Sequence, residues 1–129
     1  MKNLKTKEEI KFNFEELQVY QKALEFFDDT YKLTKLFPKE ETYGLTSQYK
    51  RASISIALNI AEGAGDTDKQ FNRFLNISNG SIKECVVCST VAKRLEYIND
   101  QQNYEARLKL QTLSKMTIGL QKYLKKSNG

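Results

Sequence analysis

The 129-residue chain has no histidine and no tryptophan, and only one proline, two cysteines and six glycines. Each scarcity removes a class of answers. Without histidine the commonest general base and the commonest metal ligand are both missing, so the Glu-x-x-His repeat of a di-iron bundle is impossible. Glu62, Glu84 and Glu96 are therefore not expected to form a metal site, Glu84 reads as a structural carboxylate, and neither a metal nor a cofactor is expected. Cys85 and Cys88 are too few for a disulfide framework. Their C-x-x-C spacing falls mid-helix, without a βαβ context and without further ligands to complete a zinc tetrahedron, which assigns both to core packing. Gly63 and Gly65 lack the G-x-x-x-x-G-K-[ST] pattern of a phosphate loop and suit a helix cap. No stretch approaches the roughly 18 consecutive apolar residues of a membrane span. Residues 1–11 alternate lysine with polar residues where a signal peptide would carry an apolar core. The expectation is a cytoplasmic protein that makes no membrane contact and is not an enzyme.

What remains is long apolar periodicity at helical spacing, with no competing strand pattern. The length fits one domain, expected as a flexible tail over 1–12, a four-helix bundle over 13–126 and a short tail over 127–129. A first helix is expected over 14–37, opened by Asn13 with Glu16 at capping-box spacing and closed by Pro38. A second starts near Lys39 to Glu41 and stops around Gly63-Ala64-Gly65. Thr67 with Gln70 makes another capping box and opens a third helix over 68–97; Asn99-Asp100 begins a fourth over 101–125.

Two of these helices carry more apolar surface than one core contact requires. In the first, Leu17, Tyr20, Leu24, Phe27 and Tyr31 form one stripe, and Val19, Phe26, Leu33 and Phe37 an adjacent one. In the third, Phe71, Phe74, Leu75, Ile82, Cys85, Ser89 and Ala92 trace the main face, while Ile77, Gly80, Val87, Cys88 and Val91 line much of the other side. Surplus apolar surface marks contact sites. A homo-oligomer joined through Val19, Phe26, Ile77, Val87 and Val91 is expected.

The second helix is apolar nearly all round except for one narrow seam. Gln48, Arg51, Ser55, Asn59 and Glu62 recur every three or four residues and, at about 100° per residue, share roughly a quarter of the circumference. A seam in such a helix is expected to be buried and to need partners. If the second and third helices run antiparallel, Arg51 comes level with about Gly80, and Gln48 with Ser81 to Glu84. Ser81 and Glu84 then complete the polar cluster, within the chain or across a subunit boundary.

Charge is unevenly placed. Residues 1–103 carry 15 basic and 15 acidic side chains and sum to zero, whereas residues 104–129 carry six and one, which accounts for the whole net charge of +5. On the fourth helix Ala106, Leu110, Leu113, Met116, Leu120, Tyr123 and Leu124 share one arc, and Arg107, Lys115, Lys122, Lys125 and Lys126 the roughly opposite one. With Lys93 and Arg94 these form a candidate phosphate-binding ridge. No base-reading motif accompanies it.

The run from Phe37 to Gln48, followed by Arg51-Ala52, Ser55, Asn59 to Gly63, Phe74-Leu75 and Gly80 to Glu84, together with Leu17 to Ala23, resembles a known family. These are the four-helix-bundle proteins encoded in intervening sequences of bacterial large-subunit ribosomal RNA genes. The resemblance spans about residues 14–100; the fourth helix matches only in character. It implies an antiparallel up-down-up-down all-α bundle that assembles into a ring, commonly a pentamer, with a basic surface. Related accessory proteins of diversity-generating retroelements share the architecture and bind a reverse transcriptase and nucleic acid. The function expected is a non-enzymatic oligomeric accessory or scaffold protein that binds RNA or DNA and docks a nucleic-acid enzyme. The alternative is a purely structural or protein-interaction bundle whose basic helix serves solubility.

Overall fold

A computed structural model describes residues 7–127, so the first half of the expected N-terminal tail and residues 128–129 lie outside the described residues. Four helices account for the fold: α1 (Gln18–Thr34), α2 (Leu45–Gly63), α3 (Asp68–Arg94) and α4 (Asp100–Ser127), with no strand among the described residues. Consecutive helices pack side by side, and α4 closes back onto α1 through the smallest of the contacts between neighbouring helices. Cross-links between them show the antiparallel order. Ser78 near the middle of α3 bonds Ile56 of α2, while Ser89 and Asn79 of α3 bond Asn103 and Gln121 of α4. The result is an antiparallel four-helix bundle.

The helix ends follow from local chemistry. Residues Asn13–Glu16 form a separate 3-10 turn, in which Glu15 Oε1 accepts the Phe12 amide at 2.7 Å. That replaces the expected Asn13–Glu16 box, and the extended Leu17 delays α1 by a turn. Towards Pro38 the chain tightens into i→i+3 bonds from Lys35 to Phe37 and leaves the α-helix at Thr34, as a proline demands of the residues before it. Thr67 accepts the Gln70 amide at 3.2 Å, as its spacing predicts. Asn99 and Gln102 cap each other's amides reciprocally at 2.8 Å. α3 stops short of Tyr97 because Glu96 takes a left-handed φ of 64°; its amide bonds Lys93 O and the next bonds Ala92 O, both at 2.9 Å. This is a Schellman ending built without glycine.

One contact ties both ends of the chain's midsection together. Glu41 Oε1 accepts the Leu45 amide at 2.9 Å, capping α2, and Glu41 Oε2 accepts the Tyr97 hydroxyl at 2.8 Å. The two donors, Leu45 first, hold the Glu41 carboxyl below its ordinary range, and the carboxylate in turn pushes the Tyr97 phenol up.

The core corrects the expected division of α1. Val19, Ala23, Phe26, Thr30, Thr34 and the following Phe37 are buried in the single chain. The surplus stripe is therefore the other one, ending at a half-buried Phe27 and an exposed Tyr31 whose rings meet at 5.3 Å. On α4, Ala106, Leu110, Leu113, Thr117 and Leu124 are buried, but Tyr123 is 66% exposed and does not belong to the core arc.

The α2–α3 contact is the most extensive in the bundle. Ser78 Oγ donates to Ile56 O at 3.0 Å, Ser81 Oγ donates to Ser55 Oγ at 2.9 Å, and a methyl group at Gly63 would come within 2.9 Å of Phe71 Cδ1 and Phe74 Cβ. Because Gly63 tucks against Phe71, α3 overshoots the end of α2, and Arg51 falls level with Glu84 and Cys85, one turn from the expected Gly80. The left-handed turn residue is Gly65, at φ 88°. Gly63→Ala should destabilise the fold by about 1–3 kcal/mol through overpacking, measured by urea denaturation; an unchanged midpoint would show that α3 can step away.

Candidate nucleic-acid interface

From Arg107 to the end the chain contains no aspartate or glutamate, and α4 turns Arg107, Lys115, Lys122, Lys125 and Lys126 outward, all exposed. These five occupy about a third of the helix circumference and run about 29 Å along its axis. Arg107 leans on α3, donating to Thr90 Oγ1 at 3.0 Å. Arg94 lies one turn beyond Thr90 on the same stripe of α3 and is exposed, in line with Arg107. Lys93 is exposed but paired with Asp100 at 3.1 Å. An ion pair this exposed contributes little, so exchanging Asp100 for a phosphate costs little.

Lys83 joins this face, which sequence reasoning missed. It lies on α3 between Asn79, which bonds Gln121 and Thr117 of α4, and Thr90, and is exposed. Only the α3–α4 register reveals that its side of the helix borders the ridge. Lys109, by contrast, sits about half a turn round α4 and pairs with Asp29 of α1, where it bridges an open cleft of about 300 Å³ lined by Phe26, Leu33, Leu36 and Ala106. It is an α1–α4 strap and not part of the face.

The polar seam of α2 is arranged differently from expectation. In the single chain Gln48, Arg51, Glu62 and Glu84 are exposed, Ser55 and Asn59 half-buried and Ser81 buried. Ser55 is the hub. It receives the Ser81 hydroxyl, and Asn59 Nδ2 donates to its hydroxyl at 3.0 Å and to its carbonyl at 2.8 Å. Arg51 donates to Ser47 Oγ at 3.1 Å. No Arg51–Glu84 ion pair closes among the described residues; both side chains are exposed. Leu58 is exposed, at 60%, and so, on α3, are Ile77 at 41% and Val87 at 60%, the last one turn from Lys83. The seam thus lies on the outer surface of α2–α3, bordered by apolar residues, while the basic ridge lies along α3–α4.

A model of the family described as 23S rRNA-intervening sequence protein matches residues 15–119. The chain belongs to that family. Among solved structures it is similar to a protein of unknown function from the S23 ribosomal protein family of Bacteroides thetaiotaomicron, with 25% identity over 81% of this chain and 98% of that one and a TM-score of 0.74. No curated protein matches the chain. The family match ends at Gly119, so Lys122, Lys125 and Lys126 lie beyond the part of this 23S rRNA-intervening sequence protein that the family describes.

Among the described residues no group of three or more cysteines and carboxylates is placed to hold a metal, and no helix is long and apolar enough to cross a membrane. Cys85 and Cys88 are buried. Burial, with Cys88 and Glu84 nearby, pushes the Cys85 thiol well up; burial and then Glu84 push Cys88 up to about 11. Beside them the fully buried Tyr49 phenol is raised in the same way, mainly by desolvation. Thiolates are the reactive form, so a thiol reagent at pH 8 should modify neither cysteine in the folded protein and both after denaturation. Rapid native labelling would show an accessible C-x-x-C pair and contradict the packing role.

Proposed function

We propose that this family member is a non-enzymatic, self-associating scaffold that binds RNA or DNA through the phosphate backbone. The observation that carries the proposal is the exposed face of α4 made by Arg107, Lys115, Lys122, Lys125 and Lys126, in a stretch of sequence without an acid, with Lys83, Lys93 and Arg94 at its border, where Asp100 pairs with Lys93. Cations grouped without intervening carboxylates keep their positive potential, and each phosphate they neutralise releases condensed counterions. No side chain on this face forms a base-reading motif, so binding independent of sequence is the expected mode.

Self-association draws on the second surface. Leu58, Ile77 and Val87 are exposed around a polar seam that is only partly hydrogen-bonded within the chain. A second copy would cover the apolar residues and supply partners for Arg51 and Glu84. The resemblance implies a ring, commonly of five chains, which would multiply the basic face by symmetry, and a nucleic-acid enzyme such as a reverse transcriptase as a further partner in the cytoplasm. Because Arg51 is exposed in the single chain, Arg51→Ala should leave the helices intact and weaken assembly instead. Light scattering should then show a smaller species at low concentration than the parent gives, whereas an unchanged oligomer would remove the seam from the interface.

The competing reading, a structural module without nucleic-acid binding, rests on Lys93 and Arg107 already having partners in Asp100 and Thr90. Salt separates the two. On duplex DNA each neutralised phosphate adds about 0.9 to the slope of log affinity against log salt, and on single strands about 0.7. Changing Lys115, Lys122 and Lys126 together to Gln should weaken binding to all sequences alike and lower that slope by about 2–3 on duplex, with helicity and oligomer size retained. Lys109→Gln should change neither. A triple variant that binds like the parent places the contact elsewhere, and a parent that binds nothing at low salt leaves the structural module.

A further inference from the structure

Two tyrosines stand in water on α4, Tyr104 within the basic arc and Tyr123 beyond its edge, about 60° past Lys126 towards α1. Tyr104 is 59% exposed, three residues before Arg107; Tyr123 is 66% exposed, between Lys122 and Lys126. They lie about 29 Å apart along the axis. The ring pairs formed among the described residues involve neither of them. An aromatic ring carries a large apolar area that folding normally buries. Tyr123 stands in the stretch without carboxylates that follows Arg107, and Tyr104 one turn before Arg107, with Glu105 beside it and Asp100 a turn away; rings exposed near cations make the combination with which proteins hold unpaired bases: charge for the backbone, rings for the π-faces.

Gly119 supplies an independent observation. It lies inside α4, exposed, with no positive φ, and a methyl group built on it would meet nothing within 4 Å. Neither packing within the chain nor a left-handed backbone requires glycine there, although glycine is the poorest helix former after proline. Its neighbours on the helix surface, four before and three and four after, are Lys115, Lys122 and Tyr123. The missing side chain leaves a notch in the ridge, floored by bare helix backbone and edged by one ring and two ammonium groups.

We infer that this surface takes single-stranded nucleic acid, with bases stacked on Tyr104 and Tyr123, the second base seated over Gly119, and phosphates on Arg107, Lys115, Lys122 and Lys126. The inference rests on the nucleic-acid reading above and adds strandedness to it. A duplex keeps its base faces in its own stack and offers the ridge phosphates alone, whereas a single strand offers both. Stacking releases no counterions, so the tyrosines set affinity without changing the salt slope, which belongs to the lysines.

Fluorescence anisotropy of the full chain against three probes of about 20 nucleotides tests this: oligothymidylate, an abasic strand with the same phosphates and no bases, and a duplex. Oligothymidylate should bind about tenfold or more tighter than the abasic strand, the scale of one stacked base. The Tyr104→Leu/Tyr123→Leu variant should bind thymidylate no better than abasic strand, with the salt slope and duplex affinity of the parent. Gly119→Leu should melt higher than the parent, being the better helix former, and yet bind thymidylate more weakly. If thymidylate and abasic strands bind alike, or the tyrosine variant keeps the parent's thymidylate affinity, the stacking surface is refuted while phosphate binding stands. Undiminished thymidylate binding by Gly119→Leu removes the seat over the notch. If none of the probes binds at low salt, the nucleic-acid reading fails and this inference with it.

Discussion

The close approach of α2 to α3 is the constraint on which the rest of the molecule depends. Small residues make it possible: Ser53 and Ala57 on α2, Ser78, Ser81 and Cys85 on α3, and Gly63 where the two helices part. Buried hydroxyls are tolerated there because each finds a backbone or hydroxyl acceptor, Ser53 on Lys50 O, Ser78 on Ile56 O and Ser81 on Ser55 Oγ. An unpaired one would cost about 1–3 kcal/mol. The hairpin so formed fixes the register of its two helices, and that register decides what faces outward.

Two surfaces of different chemistry follow. On the outside of the hairpin lie Leu58, Ile77 and Val87 with the incompletely bonded seam, a mixture of apolar area and directional polar groups that suits a protein surface. Along α4 from Arg107 onward, cations stand without acids among them in the sequence, a pattern that suits a polyanion. α4 serves two roles by face: Leu110, Leu113, Thr117 and Leu124 close the core, and the opposite arc carries the ridge. Separation of the faces lets substitutions at Lys115 or Lys122 leave the core untouched.

Most of the fold was legible because helical periodicity and capping pairs are local signals. Thr67 with Gln70 opens α3 as its spacing says, and the buried arc of α4 matches its pattern apart from Tyr123. Where local rules compete, the outcome was not legible. Glu15, not Glu16, captures a backbone amide, which shifts the start of α1. Periodicity also cannot distinguish apolar residues of the core from those of an outer face, so the buried stripe of α1, with Val19 and Phe26, reads as the surplus one. Contacts set by register were out of reach altogether: the Glu41–Tyr97 bond spans 56 residues, and the place of Lys83 beside the ridge depends on how α3 meets α4. The charge asymmetry of the candidate site, a property of composition, was visible from the start.

The central claim is that one surface assembles the chain and another binds nucleic acid, so an assembled protein remains competent to bind. Sedimentation velocity of the full chain, followed at once by protein absorbance and by a fluorophore on a single-stranded oligonucleotide, measures both together. At low salt the oligonucleotide should move with a discrete protein oligomer, and raising the salt should free it while the oligomer keeps its sedimentation coefficient. A protein that sediments as a monomer, or an oligonucleotide that stays free at low salt beside an intact oligomer, would contradict the account.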